Sequence, residues 1–177
     1  MVTSYGIKHL KAFGHYQGWS EPYDIDYSMY KHDLVVTDLR ILFHQMGCRD
    51  WICERVLERR KEFRHLADGM IHHNGNYFAI EYESSQKGKR RYREIFLNYE
   101  LDNQIKAIIY VQDMPQMAPG ISKEASICDK LFFTTFQELQ DQKLDTQLNG
   151  TNGSLSLKNL LAGKMAAMGT SNGGLNG

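Results

Sequence analysis

Cysteine is scarce in this chain. Three occur in 177 residues (Cys48, Cys53 and Cys128), none in a Cys-x-x-Cys pair and one necessarily left over. That usage excludes a disulfide framework and is expected of a reduced, cytoplasmic protein. Long apolar runs are missing too: none approaches the ~20 residues of a membrane helix, so no membrane span is expected. Met1–Gly14 also lacks the apolar stretch of a secretory signal. An excess of either charge is absent, with 21 basic and 21 acidic side chains. That balance excludes a histone-like, wholly electrostatic nucleic-acid binder but leaves room for local basic patches. No glycine-rich phosphate loop occurs, so nucleoside triphosphate chemistry is not indicated. What is present is 42% hydrophobic and 11% aromatic residues, enough for one compact core and too much for a wholly disordered chain.

Composition divides the chain into three parts. Residues 1–30 are rich in Tyr, Gly and His without a clear period and read as a lead-in segment. Residues 31–140 carry the periodic apolar pattern. Residues 141–177 read as a flexible tail, because from Thr146 to Gly177 18 of 32 residues are Gly, Asn, Ser or Thr. Such a stretch buries too little apolar surface to offset its ordering entropy. Within it, Leu155–Met168 has the composition of a short helix.

In the central part, Leu34, Val35, Leu39, Leu42 and Phe43 have helical spacing over His32–Met46, with Gly47 as the stop. Trp51–Leu57 and Leu66–His72 read as strands. His73-Asn74-Gly75-Asn76 is a hairpin turn, since Asn-Gly tolerates the positive φ of tight turns, and Tyr77–Glu83 is the return strand. A helix over Lys89–Leu101, a buried strand over Ile105–Val111, a short helix over 122–130 and a strand over Leu131–Phe136 follow. The order α-β-β-β-α-β-(α)-β predicts a mixed α/β fold, a central mixed sheet flanked by helices.

Four carboxylates fall on the three consecutive predicted strands: Glu54, Asp68, Glu81 and Glu83. Residues i and i+2 of a strand share a face, so Glu81 and Glu83 project together and the hairpin brings Asp68 beside them. Crowded carboxylates repel and favour a hard cation such as Mg²⁺ or Mn²⁺. The same acids on a solvent-facing edge hairpin would need no ion. Directly after this strand, Lys87, Lys89, Arg90, Arg91 and Arg93 place five cations in seven residues, a pattern suited to phosphate contacts. A second mixed stretch, Arg49–Arg64, has six basic against four acidic residues. Taken singly, either run is equally a solvated helix face.

The element order, with Asp68-Gly69 in the second strand and Glu81-Tyr82-Glu83 ending the third, resembles the PD-(D/E)xK nuclease core. More narrowly, His32-Asp33-Leu34-Val35-Val36-Thr37-Asp38-Leu39-Arg40-Ile41, Trp51-Ile52-Cys53-Glu54, Ala67-Asp68-Gly69 and Phe78-Ala79-Ile80-Glu81-Tyr82-Glu83 resemble the MobC-type plasmid relaxases of the replication–relaxation family. The resemblance covers about residues 30–112. It implies an αβββαβ core and a metal-dependent DNA endonuclease that nicks plasmid DNA at a transfer origin during conjugative mobilisation. DNA, a mobilisation accessory protein and a coupling protein are the implied partners. Carried over, Asp68 and Glu81 match the metal-binding acids and Glu54 the additional acid. Glu83 stands where most of the superfamily has a lysine, as in BamHI-like restriction enzymes, and would act as ligand or base, with Lys87 or Lys89 supplying positive charge. The implied catalytic set is Asp68, Glu81 and Glu83, and the implied Mg²⁺ or Mn²⁺ ligands are those three with Glu54. Lys87, Lys89, Arg90, Arg91 and Arg93 are the implied DNA contacts. Ala67 replaces the motif proline. The resemblance also implies a winged-helix domain before this core; with only ~30 residues ahead of the first helix, either that domain is absent or the chain is a fragment, with Tyr5–Gly14 in the lead-in as the remnant of its last element. The rival reading is a non-catalytic DNA-binding accessory protein with the same fold, and a third is a nuclease-fold toxin or restriction component.

Other residues rank lower. His72 and His73 are adjacent on a strand and face opposite ways. Tyr92 and Tyr99 read as helix packing. The three cysteines read as small apolar residues.

Overall fold

The computed structural model describes residues 29–113 and 119–164, together with Lys8, Lys11 and Ala12. The chain divides into two units, Met1–Leu34 and Val35–Gly177, and the sheet belongs to the second. Most of the lead-in at 1–30 lies outside the described residues.

In chain order the described elements are α1 (Tyr30–Gln45), β1 (Trp51–Cys53), α2 (Glu54–Arg60), β2 (Gly69–His73), β3 (Asn76–Glu83) and α3 (Lys89–Glu100). Then come β4 (Ile105–Gln112), α4 (Pro119–Ala125), β5 (Leu131–Thr135), α5 (Phe136–Gln142), a 3₁₀ turn (Lys143–Asp145), β6 (Gln147–Gly150), β7 (Gly153–Ser156) and α6 (Leu157–Leu161). The strands form one mixed seven-stranded sheet in the order β1-β2-β3-β4-β5-β6-β7. β3, β4 and β5 run parallel, and the remaining neighbours pair antiparallel. The mixed α/β class expected from the sequence is therefore present. No helix among the described residues is long and apolar enough to cross a membrane.

Local chemistry accounts for the joints. Asn74 and Gly75 take φ values of 50° and 75°, the two positive dihedrals of a tight hairpin turn, and His73 pairs with Asn76. Gly47, at φ 94°, stops α1 as its position predicts. Over Phe78–Ile80 and Ala107–Val111 the parallel strands β3 and β4 are apolar on both faces because both faces are covered. On one face Ile71, Phe78, Ile80, Ala107, Ile109 and Val111 pack with Leu39, Leu42 and Phe43 of α1 and with Leu157, Leu160 and Leu161 of α6. On the other, Met70, Ala79, Ile108, Tyr110 and Phe133 pack with Tyr92, Ile95, Phe96 and Tyr99 of α3. Leu34, expected on the buried stripe of α1, is instead 46% exposed.

The short helix expected over 122–130 is Pro119–Ala125, and two larger expectations are corrected as well. The strand predicted over Trp51–Leu57 ends at Cys53, and Glu54 begins α2. Glu54 in the first turn and Arg59 and Arg60 in the last complement the helix dipole, and Leu57 alone is buried, a pattern that one helical turn satisfies and a strand does not. Glu54 is thus an exposed helical residue, not a member of the strand series.

The second correction concerns the tail at 141–177. Residues 147–161 are folded into β6, β7 and α6, and Leu148, Leu157 and Leu160 are fully buried in the core. Buried Thr146 ties the segment down: its hydroxyl donates to the Lys143 carbonyl at 2.6 Å, and its own carbonyl accepts from Leu157 N–H at 2.8 Å. The Ser156 side chain caps α6 by accepting from Asn159 N–H. Of the helix expected over Leu155–Met168, Leu157–Leu161 is present, and 165–177 lie outside the described residues.

Candidate active site

Glu81 and Glu83 both occupy the face of β3 that α3 covers, as their i, i+2 spacing requires, and each is 7% exposed. Buried carboxylates at this depth need partners, and the two are satisfied in parallel fashion. Tyr99 of α3 donates its hydroxyl to Glu81 Oε1, and His65 Nε2 stands 3.3 Å from the same oxygen. Tyr110 of β4 donates to Glu83 Oε2, and Lys87 Nζ lies 2.6 Å from that oxygen. A tyrosine and a basic side chain therefore converge on one oxygen of each glutamate. Tyr92 joins the second group through its hydroxyl, which accepts from Lys87 N–H at 2.8 Å.

Asp68 precedes β2 by one residue, just beyond the Gly69–Ile80 pair, so continuing the register sets it opposite Glu81. Its Oδ2 accepts from Tyr82 N–H at 2.8 Å, which pins the carboxylate against β3. Burial raises the Glu81 pKa, and the charge of Asp68 raises it further, against the opposing pull of His65 and Tyr99. Burial, with the adjoining glutamates, also pushes the Tyr99 and Tyr110 hydroxyls above their ordinary range, keeping both as proton donors.

The hairpin thus brings Asp68, Glu81 and Glu83 to one end of β2 and β3, as the sequence predicts. The four-carboxylate metal cluster is a different matter. Among the described residues no three His, Cys, Asp or Glu side chains are grouped so as to hold a metal ion. Glu54 sits on α2, and Glu83 is neutralised by Lys87. What remains side by side is the pair Asp68 and Glu81, within the one or two carboxylates that Mg²⁺ commonly takes beside water and substrate phosphate.

The basic run separates into two parts. Lys87 turns inward to Glu83, while Lys89, Arg90, Arg91 and Arg93 are exposed along the first half of α3. Arg91 Nη1 pairs with Glu94 Oε2 at 3.2 Å. α3 has no acidic residue in its first turn and a glycine N-cap, so its cations oppose the helix dipole, a local cost that a bound anion relieves.

Sequence reasoning did not single out His65 and Tyr110, and it read Tyr99 only as packing. The available signal was tyrosine where phenylalanine would pack as well: Tyr92 and Tyr99 at i, i+7 on one helix face, and Tyr110 inside an apolar strand. A buried tyrosine hydroxyl requires a partner. Comparison with family models, curated proteins and solved structures returned no match to the chain.

Proposed function

We propose that this protein is a metal-dependent DNA endonuclease with a PD-(D/E)xK-like core, nicking plasmid DNA at a transfer origin in the manner of the relaxases its sequence resembles. The observation that carries this reading is the meeting of Asp68 with Glu81 where β2 and β3 lie side by side. The arrangement α1, antiparallel β1-β2-β3, α3, and β4 parallel to β3 supports it, with α2 as an insertion between β1 and β2. Asp68 and Glu81 would hold Mg²⁺ or Mn²⁺, which supplies polarisation of the phosphodiester and a more acidic water. Tyr99 and His65 orient the Glu81 carboxylate through its Oε1. Lys87 places a cation at the strand end where the motif lysine is otherwise found. Lys89, Arg90, Arg91 and Arg93 hold the DNA backbone. A mobilisation accessory protein and a coupling protein are the protein partners of this reading, and the cytoplasm its compartment.

The test is nicking of a supercoiled plasmid carrying a mobilisation region, with Mn²⁺ or with chelator, by wild type and Glu81→Ala. Metal-dependent nicking lost in the variant is expected; equal nicking by Glu81→Ala would overturn the assignment. The Glu83–Lys87 ion pair favours a second reading, a non-catalytic DNA-binding accessory protein, because it removes one carboxylate from the metal site. DNA binding indifferent to Mn²⁺, without nicking, would establish that role instead.

A further inference from the structure

Residues 61–66, within the segment 61–68 that joins α2 to β2, are held more firmly than an ordinary loop. Lys61 caps α2 in the left-handed conformation at φ 53°, its N–H bonded to the Leu57 carbonyl. The carboxylate of Asp102, itself buried, accepts from Arg64 N–H at 2.9 Å, and Gln104 Nε2 donates to the Glu62 carbonyl at 2.9 Å. Phe63 meets the Tyr77 ring edge-on. These tethers grip the backbone and leave the Lys61 and Arg64 side chains pointing to solvent.

A cavity of about 240 Å³ opens against this segment. Leu57, Phe63 and Leu66 give it apolar walls, while Lys61, Arg64 and His65 stand around them. Leu66 is 39% exposed, an apolar side chain left in water beside two cations. His65, which lines the cavity, also touches Glu81 and so links the cavity to the candidate active site. Its two full cations face one carboxylate, Glu58. A neighbouring cavity shares Lys61, Phe63 and Arg64 but sets Glu62 and Asp102 against them and does not reach His65. Of these two cavities, the first combines a net positive rim, apolar walls and a histidine that reaches Glu81.

We infer that this cavity is the subsite for one unstacked nucleotide of a single DNA strand, its base against Leu57, Phe63 and Leu66 and its phosphate on Lys61 and Arg64. A base offers a flat apolar face to such walls, and a charged guanidinium or ammonium binds phosphate strongly. The inference rests on the endonuclease reading, to which it adds the feature recognised beside the scissile bond. It extends the DNA path from the exposed cations of α3, across Glu81, to α2, and gives the basic run at Arg49–Arg64 a use.

The experiment titrates thymidine monophosphate, thymidine and inorganic phosphate separately into the full chain in chelator, by calorimetry. The monophosphate is expected to bind more tightly than either part. Arg64→Ala and Leu66→Glu, both at exposed positions, are each expected to weaken it by about ten-fold or more, since each removes a charge-assisted contact or an apolar wall. Inorganic phosphate binding as tightly as the nucleotide, or variants binding as wild type does, would overturn the subsite. Nucleotide binding in a protein that never nicks leaves the subsite standing and removes the endonuclease reading. Nicking without nucleotide binding removes the subsite alone.

Discussion

Lys87 closes on Glu83 four residues back along the chain, Nζ to Oε2 at 2.6 Å, at the strand position where the resembled motif carries a lysine rather than a glutamate. The ammonium is supplied from the loop after the strand instead of from the strand itself. Because the Lys87 side chain is 36% exposed, solvent screens part of the attraction. Lys87→Ala is expected to destabilise the protein by about 1 kcal/mol, with Lys87→Arg costing less. Urea unfolding midpoints measure this, and an unchanged midpoint in Lys87→Ala would mean that water serves Glu83 equally well.

Glu81 makes stability depend on pH in a defined direction. Burial, reinforced by the Asp68 charge, lifts its pKa above the ordinary 4.5, so the folded chain holds that proton more tightly than the unfolded one. The associated stability is complete below 4.5 and is lost as pH rises through the folded-state value. Glu81→Gln removes the penalty of the buried charge. It is expected to melt above wild type near neutrality and to lose that advantage in acid. A melting difference independent of pH would show that the carboxylate is not the cause.

A divalent ion that binds the Asp68–Glu81 pair must stabilise the folded state by mass action, by about 2.7 kcal/mol at one hundred times its dissociation constant. Mn²⁺ is therefore expected to raise the melting temperature of wild type and to lose this effect in Asp68→Asn. An equal rise in both proteins would locate the ion elsewhere.

Salt dependence reports on α3. If Lys89, Arg90, Arg91 and Arg93 lie on the DNA path, replacing Lys89, Arg90 and Arg91 by Gln reduces the log–log slope of DNA affinity against salt by roughly one unit per lost phosphate contact. An unmoved slope would place these side chains off the path.

The C-terminal segment is part of the core, and its removal is expected to be costly. Leu148→Ala should lose about 2–5 kcal/mol, the range for a buried leucine whose cavity is not refilled. A chain ending at residue 145 lacks β6, β7 and α6 and is expected to lose cooperative melting. Sharp, wild-type-like melting of that truncation would show that the sheet closes without them.

The sequence was most informative where apolar residues are dense. The Asn74-Gly75 turn, the α3 stripe of Tyr92, Ile95, Phe96 and Tyr99, and the run in β4 carry period and length enough to identify their elements, and the i, i+2 relation of Glu81 and Glu83 survives intact. It was misleading where single residues anchor an element. β6 is held by Leu148 alone among exposed or half-buried neighbours, and α2 by Leu57, so composition over a window registers only polar surface. The site was half legible for a related reason. Asp68 and Glu81 are announced by strand spacing, but His65 reaches Glu81 from a loop whose course is set by Asp102 and Gln104, residues far along the chain. No local pattern encodes that approach.

Every strand in this sheet pairs with its predecessor in the chain, since spatial order and chain order coincide from β1 to β7. During synthesis each new strand therefore emerges onto an edge already laid down, and no strand waits for a distant strand yet to be translated. The growing end always displays one open edge: β3 until β4 arrives, β5 until the last hairpin is made. A chain cut off after residue 135 would leave β5 as that edge, with Phe132 and Phe133 next to unpaired backbone, a surface prone to pairing with other chains. The short, polar β6–β7 hairpin covers that edge in the folded protein.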